Sequence, residues 1–186
     1  MPEKFTAIVP VKMSQRLPGK HLLKIGSKTL IETVTERLSS LCNVEVYSRI
    51  DLPVPHVKDS SENIMQLLSS LSKLYGKFIL VGGDMPLFEV EDILTLISNF
   101  KGVTTVPRHL NGQLEPLFAI YSGTLEPGRN LESMILSAGA RFIDAGLFSP
   151  LAFFNINTMD DYKKALRIIS LQGAESGQGS QYEHEE

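Results

Sequence analysis

Cysteine is nearly absent from this 186-residue chain, where Cys42 stands alone. A single thiol excludes an intramolecular disulfide and a cysteine metal cluster. The four histidines, His21, His56, His109 and His184, share no ligand spacing, so zinc chemistry is not expected either. Long apolar runs are missing as well. No stretch approaches the roughly 18 apolar residues of a membrane helix, and Met1-Pro2-Glu3-Lys4 leads straight into a strand-like segment without a secretory pattern. The expectation is a cytoplasmic protein that does not enter a membrane. There is no internal repeat. Positive charge is absent from the last 14 residues, which hold Glu175, Glu183, Glu185 and Glu186 and no lysine or arginine. Residues 173–186 therefore read as a disordered acidic tail behind a single domain of residues 1–172.

With 42% hydrophobic and 21% charged residues, the chain suits one domain large enough to bury a real core. The tail's four glutamates outweigh the net charge of −3, which leaves the body close to neutral at about +1. Its first 28 residues nevertheless carry Lys4, Lys12, Arg16, Lys20, Lys24 and Lys28 against Glu3 alone. That cluster is too local for a nucleic-acid surface and about right for a polyphosphate.

Apolar runs alternate with helix-spaced runs, the pattern of a mainly parallel sheet between layers of helices, an α/β fold. Strands are expected at Phe5 to Val11, Val44 to Tyr47, Phe78 to Val81, Val103 to Val106, Leu117 to Tyr121 and Leu151 to Phe154. Helical stripes run through Leu30, Val34, Leu38 and Leu41 and through Ile64, Leu67, Leu68, Leu71 and Leu74. Further helices are expected at Val90 to Phe100 and Leu131 to Ala138. A last one, opened by Thr158 with Asp161 three residues on, should run to about Leu171.

Two strand ends carry the chemistry. In open α/β sheets ligands bind beyond the carboxyl ends of the strands. The strand Phe78 to Val81 ends in Gly82-Gly83 and then presents Asp84, in position to meet a bound phosphate and its magnesium. The first strand, Ala7-Ile8-Val9-Pro10-Val11, feeds a loop holding Lys12, Ser14, Arg16 and Lys20. Small residues that would let backbone amides approach phosphate oxygens are scarce there, so side chains must do the work. Each feature also has a plainer reading: the basic loop as a solvated surface, and Asp84 as a turn residue satisfying backbone amides near Pro86.

These segments resemble the molybdenum cofactor guanylyltransferases, the MobA-like proteins of the nucleotide-diphospho-sugar transferase fold, over roughly Lys4 to Leu171. Gly83-Asp84-Met85-Pro86 resembles that family's metal-binding turn, and Glu115-Pro116-Leu117-Phe118-Ala119-Ile120-Tyr121 its Pro-Leu strand. Asn155-Ile156-Asn157-Thr158 resembles its Asn-x-Asn-Thr element. The first loop departs. The family has Leu-Ala-Gly-Gly where this chain has Val9-Pro10-Val11-Lys12, and Arg16-Leu17-Pro18-Gly19-Lys20 is closer to the cytidylyltransferases that activate sugar acids.

The resemblance implies a three-layer Rossmann-like fold and a nucleotidyltransferase that uses Mg2+, with GTP preferred to CTP as donor and molybdopterin as the phosphorylated acceptor. It implies a nucleotide site at Val9, Pro10, Val11, Lys12, Ser14, Arg16, Lys20, Asp59 and Asp84. Asp84, Lys20 and Arg16 would serve catalysis, and Asp84 would hold the metal. Glu115, Asn155 and Asn157 would meet the acceptor. Asp59 reads first as the N-cap of the helix beginning at Ile64, and second as the family's nucleotide-holding aspartate, although Ser60-Ser61 replaces the usual Gly-Pro. Asn155 and Asn157 read as acceptor contacts or as a turn into the last helix. Guanylyl transfer to adenosylcobinamide phosphate, cytidylyl transfer to a sugar acid, and a nucleotide-binding accessory protein without turnover stay open. No nucleic-acid partner is expected, and the protein would be a monomer or homodimer.

Overall fold

The computed structural model describes residues 4–178. Strand β1, Thr6–Val11, lies in the middle of a seven-stranded sheet, with Ala7, Ile8 and Val9 fully buried. A strand covered on both faces needs a continuous apolar run, and Ala-Ile-Val supplies one. The hairpin of β2, Lys24–Ile25, and β3, Lys28–Thr29, stands outside that sheet and turns through Gly26 at φ 66°. Strands β4, Asn43–Ser48, and β5, Val57–Lys58, continue the main sheet in parallel on one side of β1. Strand β6, Lys77–Val81, pairs in parallel on the other side. Beyond it come β7, Thr105–Arg108, β8, Phe118–Ser122, and β9, Arg141–Asp144, in the order β6-β8-β7-β9. Only β8 runs antiparallel to its neighbours, so the sheet is mainly parallel, as expected.

Helices cover both faces. Helix α1, Leu30–Ser39, opens on a capping box between Thr29 and Glu32; α2, Ile64–Tyr75, is capped by Asn63 and ends at Gly76, whose φ of 68° a side chain would resist. Helices α3, Val90–Asn99, α4, Leu131–Ser137, and α5, Met159–Gln178, follow. Ile31, Val34 and Leu38 of α1 and Ile93 and Leu96 of α3 pack on the sheet face that carries Ala7, Val9, Val11, Ile79 and Val81. On the opposite face Leu67, Leu68 and Leu71 of α2 and Met134 and Ile135 of α4 meet Ile8, Phe78, Leu80 and Tyr121. Alternate strand residues thus feed opposite layers, which is the period-2 geometry of a strand. A smaller cluster joins Ala165 of α5 and Ile156 to Leu17, Ile25, Leu30 and Leu87.

Three sequence expectations are corrected. Leu151 to Phe154 forms a turn, with Ala152 N–H donating to Ser149 C=O and Phe154 N–H to Leu151 C=O. Its apolar residues are there to pack, Phe153 against the rings of His109, Phe118 and Phe148. The additional strand is β9, a short edge strand bounded by Arg141 and Asp144 that gives little alternation to read. Leu74 is 67% exposed, and the apolar face of α2 continues from Leu71 to Tyr75 instead, whose ring meets Phe78. The last helix runs beyond Leu171 to Gln178, so residues 173–178 of the expected tail continue α5, while 179–186 lie outside the described residues. Among the described residues no helix is long and apolar enough to cross a membrane.

Candidate active site

A cleft of about 790 Å³ opens where the carboxyl ends of β1, β4 and β6 meet, at the strand where the sheet order reverses. The turn after β6 forms its floor. Gly82 N–H donates to Leu117 C=O at 2.8 Å and Met85 N–H to Gly82 C=O at 3.1 Å, folding the chain back so that Asp84 faces the cleft. A side chain at either glycine would press on its neighbours, on the movable Asp84 carboxylate at Gly82 and on buried Val11 at Gly83. A Cβ on Gly82 would lie 2.9 Å from Asp84 Oδ1, and one on Gly83 2.9 Å from Val11 Cγ2. The first strand and the aspartate turn are therefore packed backbone against side chain, without room for a methyl group.

The Asn-x-Asn element docks on this turn from the far end of the sequence. Ile156 N–H donates to Asp84 C=O at 2.9 Å. Asp161 holds the segment in place by accepting from Asn157 N–H, Thr158 N–H and Thr158 Oγ1, and Thr158 Oγ1 accepts in return from Asp161 N–H. These bonds, with the Thr158 hydroxyl foremost, hold the Asp161 carboxyl below its ordinary value of 3.8. The expected capping box is formed, and it aims Asn155 and Asn157 at the cleft.

Lys20 enters the same junction. It begins a short 3-10 turn, Lys20–Leu22, preceded by Gly19 at φ 70°. Its Nζ donates to Asp84 Oδ2 at 2.6 Å, to Ile156 C=O at 3.0 Å and to Asn157 Oδ1 at 3.1 Å, and the residue is only 5% exposed. An ammonium has three donors, and these three acceptors take them. His21 is buried beside it, with Nδ1 3.4 Å from Gly83 C=O; burial, then the Lys20 charge, lowers its pKa from 6.5, against partial opposition from Asp84.

The other expected site residues divide. Pro10, Val11, Lys12, Ser14, Arg16, Lys20, Asp59, Asp84, Asn155 and Asn157 all line the cleft. Lys12 and Arg16 are exposed on it, whereas Ser14 Oγ accepts from Leu17 N–H at 3.2 Å and shapes the loop. Val9 is not among the lining residues. It is fully buried beneath α1 and α3, on the same sheet face as Val11 but two residues short of the strand's carboxyl end, where the helices cover it. Glu115 also lies outside the cleft. It is 8% exposed and accepts from His109 Nε2 at 2.7 Å, while its neighbours Pro116 and Leu117 reach the cleft. Asp59 is not the cap of α2: Asn63 Oδ1 accepts from Gln66 N–H, and Asp59 Oδ1 accepts from Ser61 N–H at 2.9 Å. Asp59 Oδ2 sits 3.9 Å from Arg49 Nε, in the cleft wall.

Arg49 and His21 were not anticipated. Arg49 follows the end of β4, so the carboxyl-end rule that singled out Asp84 would have found it; His21 carries no local signal. Asp59, Glu62 and Asp84 all line the cleft, but among the described residues no group of three His, Cys, Asp or Glu residues able to hold a metal exists, so a magnesium ion there would not find a full set of protein ligands. That suits magnesium carried by a polyphosphate, which commonly uses one or two carboxylates with phosphate oxygens and water completing its shell.

Known proteins resemble this chain in sequence and in fold. The sequence model of the MobA-like NTP transferase domain matches residues 12–148. A protein of Pyrococcus furiosus named probable molybdenum cofactor guanylyltransferase is 31% identical over 175 residues, covering 81% of this chain and 89% of its own. Among solved structures, molybdopterin-guanine dinucleotide biosynthesis protein A from Archaeoglobus fulgidus superposes with a TM-score of 0.71 at 20% identity, over 90% of this chain and all of that one. A cytidylyltransferase from Leptospira borgpetersenii gives a TM-score of 0.68 at 17% identity, over 90% of this chain and 87% of its own. At these identities the two structures speak for the fold alone.

Proposed function

The chain belongs to the MobA-like NTP transferase family, and from that premise we propose that it transfers the guanylyl group of GTP to the phosphate of a molybdopterin-type acceptor, in the cytoplasm. An acceptor phosphate oxygen attacks the α-phosphorus in line. The bond to the bridging α–β oxygen breaks, a new diphosphate forms, and pyrophosphate leaves with the electron pair. Little covalent chemistry is asked of the protein in such a transfer, so rate comes from alignment and from stabilising charge.

The observation that carries this reading is a single cleft that brings Asp84 together with the cationic loop and the Asn-x-Asn element. Lys12 and Arg16, exposed on the loop, meet the triphosphate. Pro10, Val11, Ile64 and Leu67 give the base an apolar surface, and the Asp59–Arg49 pair lies beside it. Asn155 and Asn157 direct the acceptor phosphate. Asp84 would hold magnesium brought by the nucleotide, and the ion would supply neutralisation of charge on the phosphates.

The test is pyrophosphate release with GTP and with CTP, each with and without molybdopterin. Release that needs both GTP and molybdopterin is the expected outcome. A clear CTP preference would move the protein to sugar-acid cytidylyl transfer, the reading that Arg16-Leu17-Pro18-Gly19-Lys20 favours. No release with any acceptor offered would make it a nucleotide-binding accessory protein.

A further inference from the structure

We propose that Lys20 is a stand-in cation for Asp84: it neutralises the carboxylate in the nucleotide-free protein and keeps divalent metal from settling there until a nucleotide carries the metal in. The inference rests on the reading of Asp84 as the metal-holding carboxylate. Its basis is the pairing at the cleft floor, where Nζ and Oδ2 are 2.6 Å apart and the two side chains are 7% and 17% exposed. A lysine on an open surface would wander, because its flexible stem loses much entropy when held. This one is held by three acceptors, two of them supplied by the Asn-x-Asn element.

Charge explains the consequence. Among the described residues Asp84 belongs to no group of three metal-ligating side chains, and with an ammonium in direct contact the pair presents almost no net charge to a free dication. Partial shielding from water keeps that cancellation effective, since the cation is not easily displaced by solvent. A nucleotide changes the balance, because its phosphate oxygens are new anionic partners for Nζ. Lys20 can then give up Oδ2 while keeping Ile156 C=O and Asn157 Oδ1, so the exchange needs a pivot of the ammonium and no rearrangement of the backbone. The Ile156 N–H to Asp84 C=O bond keeps the two segments in register throughout. Lys20 is in this account a positioning residue, and metal and nucleotide enter together.

The experiment is titration of the full chain with Mn2+, free ion being read by electron paramagnetic resonance, without nucleotide and again with GTP. Wild type should bind Mn2+ weakly when nucleotide-free, and Lys20→Met should bind about tenfold or more tightly, the scale on which one adjacent cation biases a carboxylate. Adding Asp84→Asn to Lys20→Met should remove that gain. Asn157→Ala, which takes away one tether of Nζ, should shift affinity in the same direction by less, and it decides the matter if Lys20→Met does not fold. Folded Lys20→Met, or failing that Asn157→Ala, with Mn2+ affinity equal to or below wild type would overturn the proposal alone. Wild-type and Asp84→Asn proteins binding Mn2+ equally well in the presence of GTP would overturn the metal assignment and the proposal with it.

Discussion

Asp84 is placed by what its neighbours lack. Gly82 and Gly83 have no Cβ, and the space a methyl would need is already held by Asp84 Oδ1 and Val11 Cγ2. The aspartate faces the cleft and is held there by Lys20. Asp84→Asn keeps the shape and removes the charge, so turnover at limiting magnesium should fall at least about tenfold. The measurement is pyrophosphate release against magnesium concentration, with urea unfolding run beside it because Lys20 loses its anionic partner. Near-normal turnover in the folded variant would remove Asp84 from the chemistry.

At the scale of elements, the start of α5 ties a helix to the site. Thr158 and Asp161 exchange hydrogen bonds, and the same carboxylate holds Asn157 N–H, so the cap positions the side chains that precede it. Thr158→Ala should cost about 1 kcal/mol of stability in urea unfolding, the usual worth of an N-cap side chain. Turnover should fall by more than that loss of stability explains, because Asn155 and Asn157 lose their fixed approach. The carboxyl of Asp161 lies below 3.8 in the folded chain, so its contribution is fully present above pH 3.8 and is lost as pH falls through the lower, folded value. Unchanged turnover in Thr158→Ala would detach the cap from the site.

For the whole molecule, the sheet and its two helical layers form a closed core, and Cys42 reports on it. The thiol is 2% exposed in the α1–α3 layer, and burial pushes it up from 9.0 to about 11. At pH 8 a thiol shifted this far has about a hundredfold less thiolate, so an aromatic disulfide reagent should react at least that much more slowly with native protein than with urea-unfolded chain. Reaction at the unfolded rate in native buffer would mean that the α1–α3 layer is open in solution. The same architecture joins the three parts of the site, because β1, β6 and the approach to α5 converge on one end of the sheet.

Much of this was legible in the chain alone. The apolar runs of β1 and β6 and the stripes of α1 and α2 announce themselves because strand and helix periods are local properties of a few turns of backbone. Val81-Gly82-Gly83-Asp84 marked the functional end of the sheet for the same reason, since a strand followed by small residues and one carboxylate is a local pattern. Thr158-x-x-Asp161 was equally readable. What the sequence left open depends on partners far along the chain. Lys20 read as a phosphate ligand, and nothing local showed that Asp84, Ile156 and Asn157 would close around its ammonium across separations of 64 to 137 residues. Glu115 read as an acceptor contact, yet His109 holds it, and Val9 read as part of the nucleotide site, yet its side chain is buried in the core. Local pattern determined which elements form and where a ligand can sit; only tertiary packing decided which charges meet there, because a side chain's partner is chosen by the fold of the whole chain.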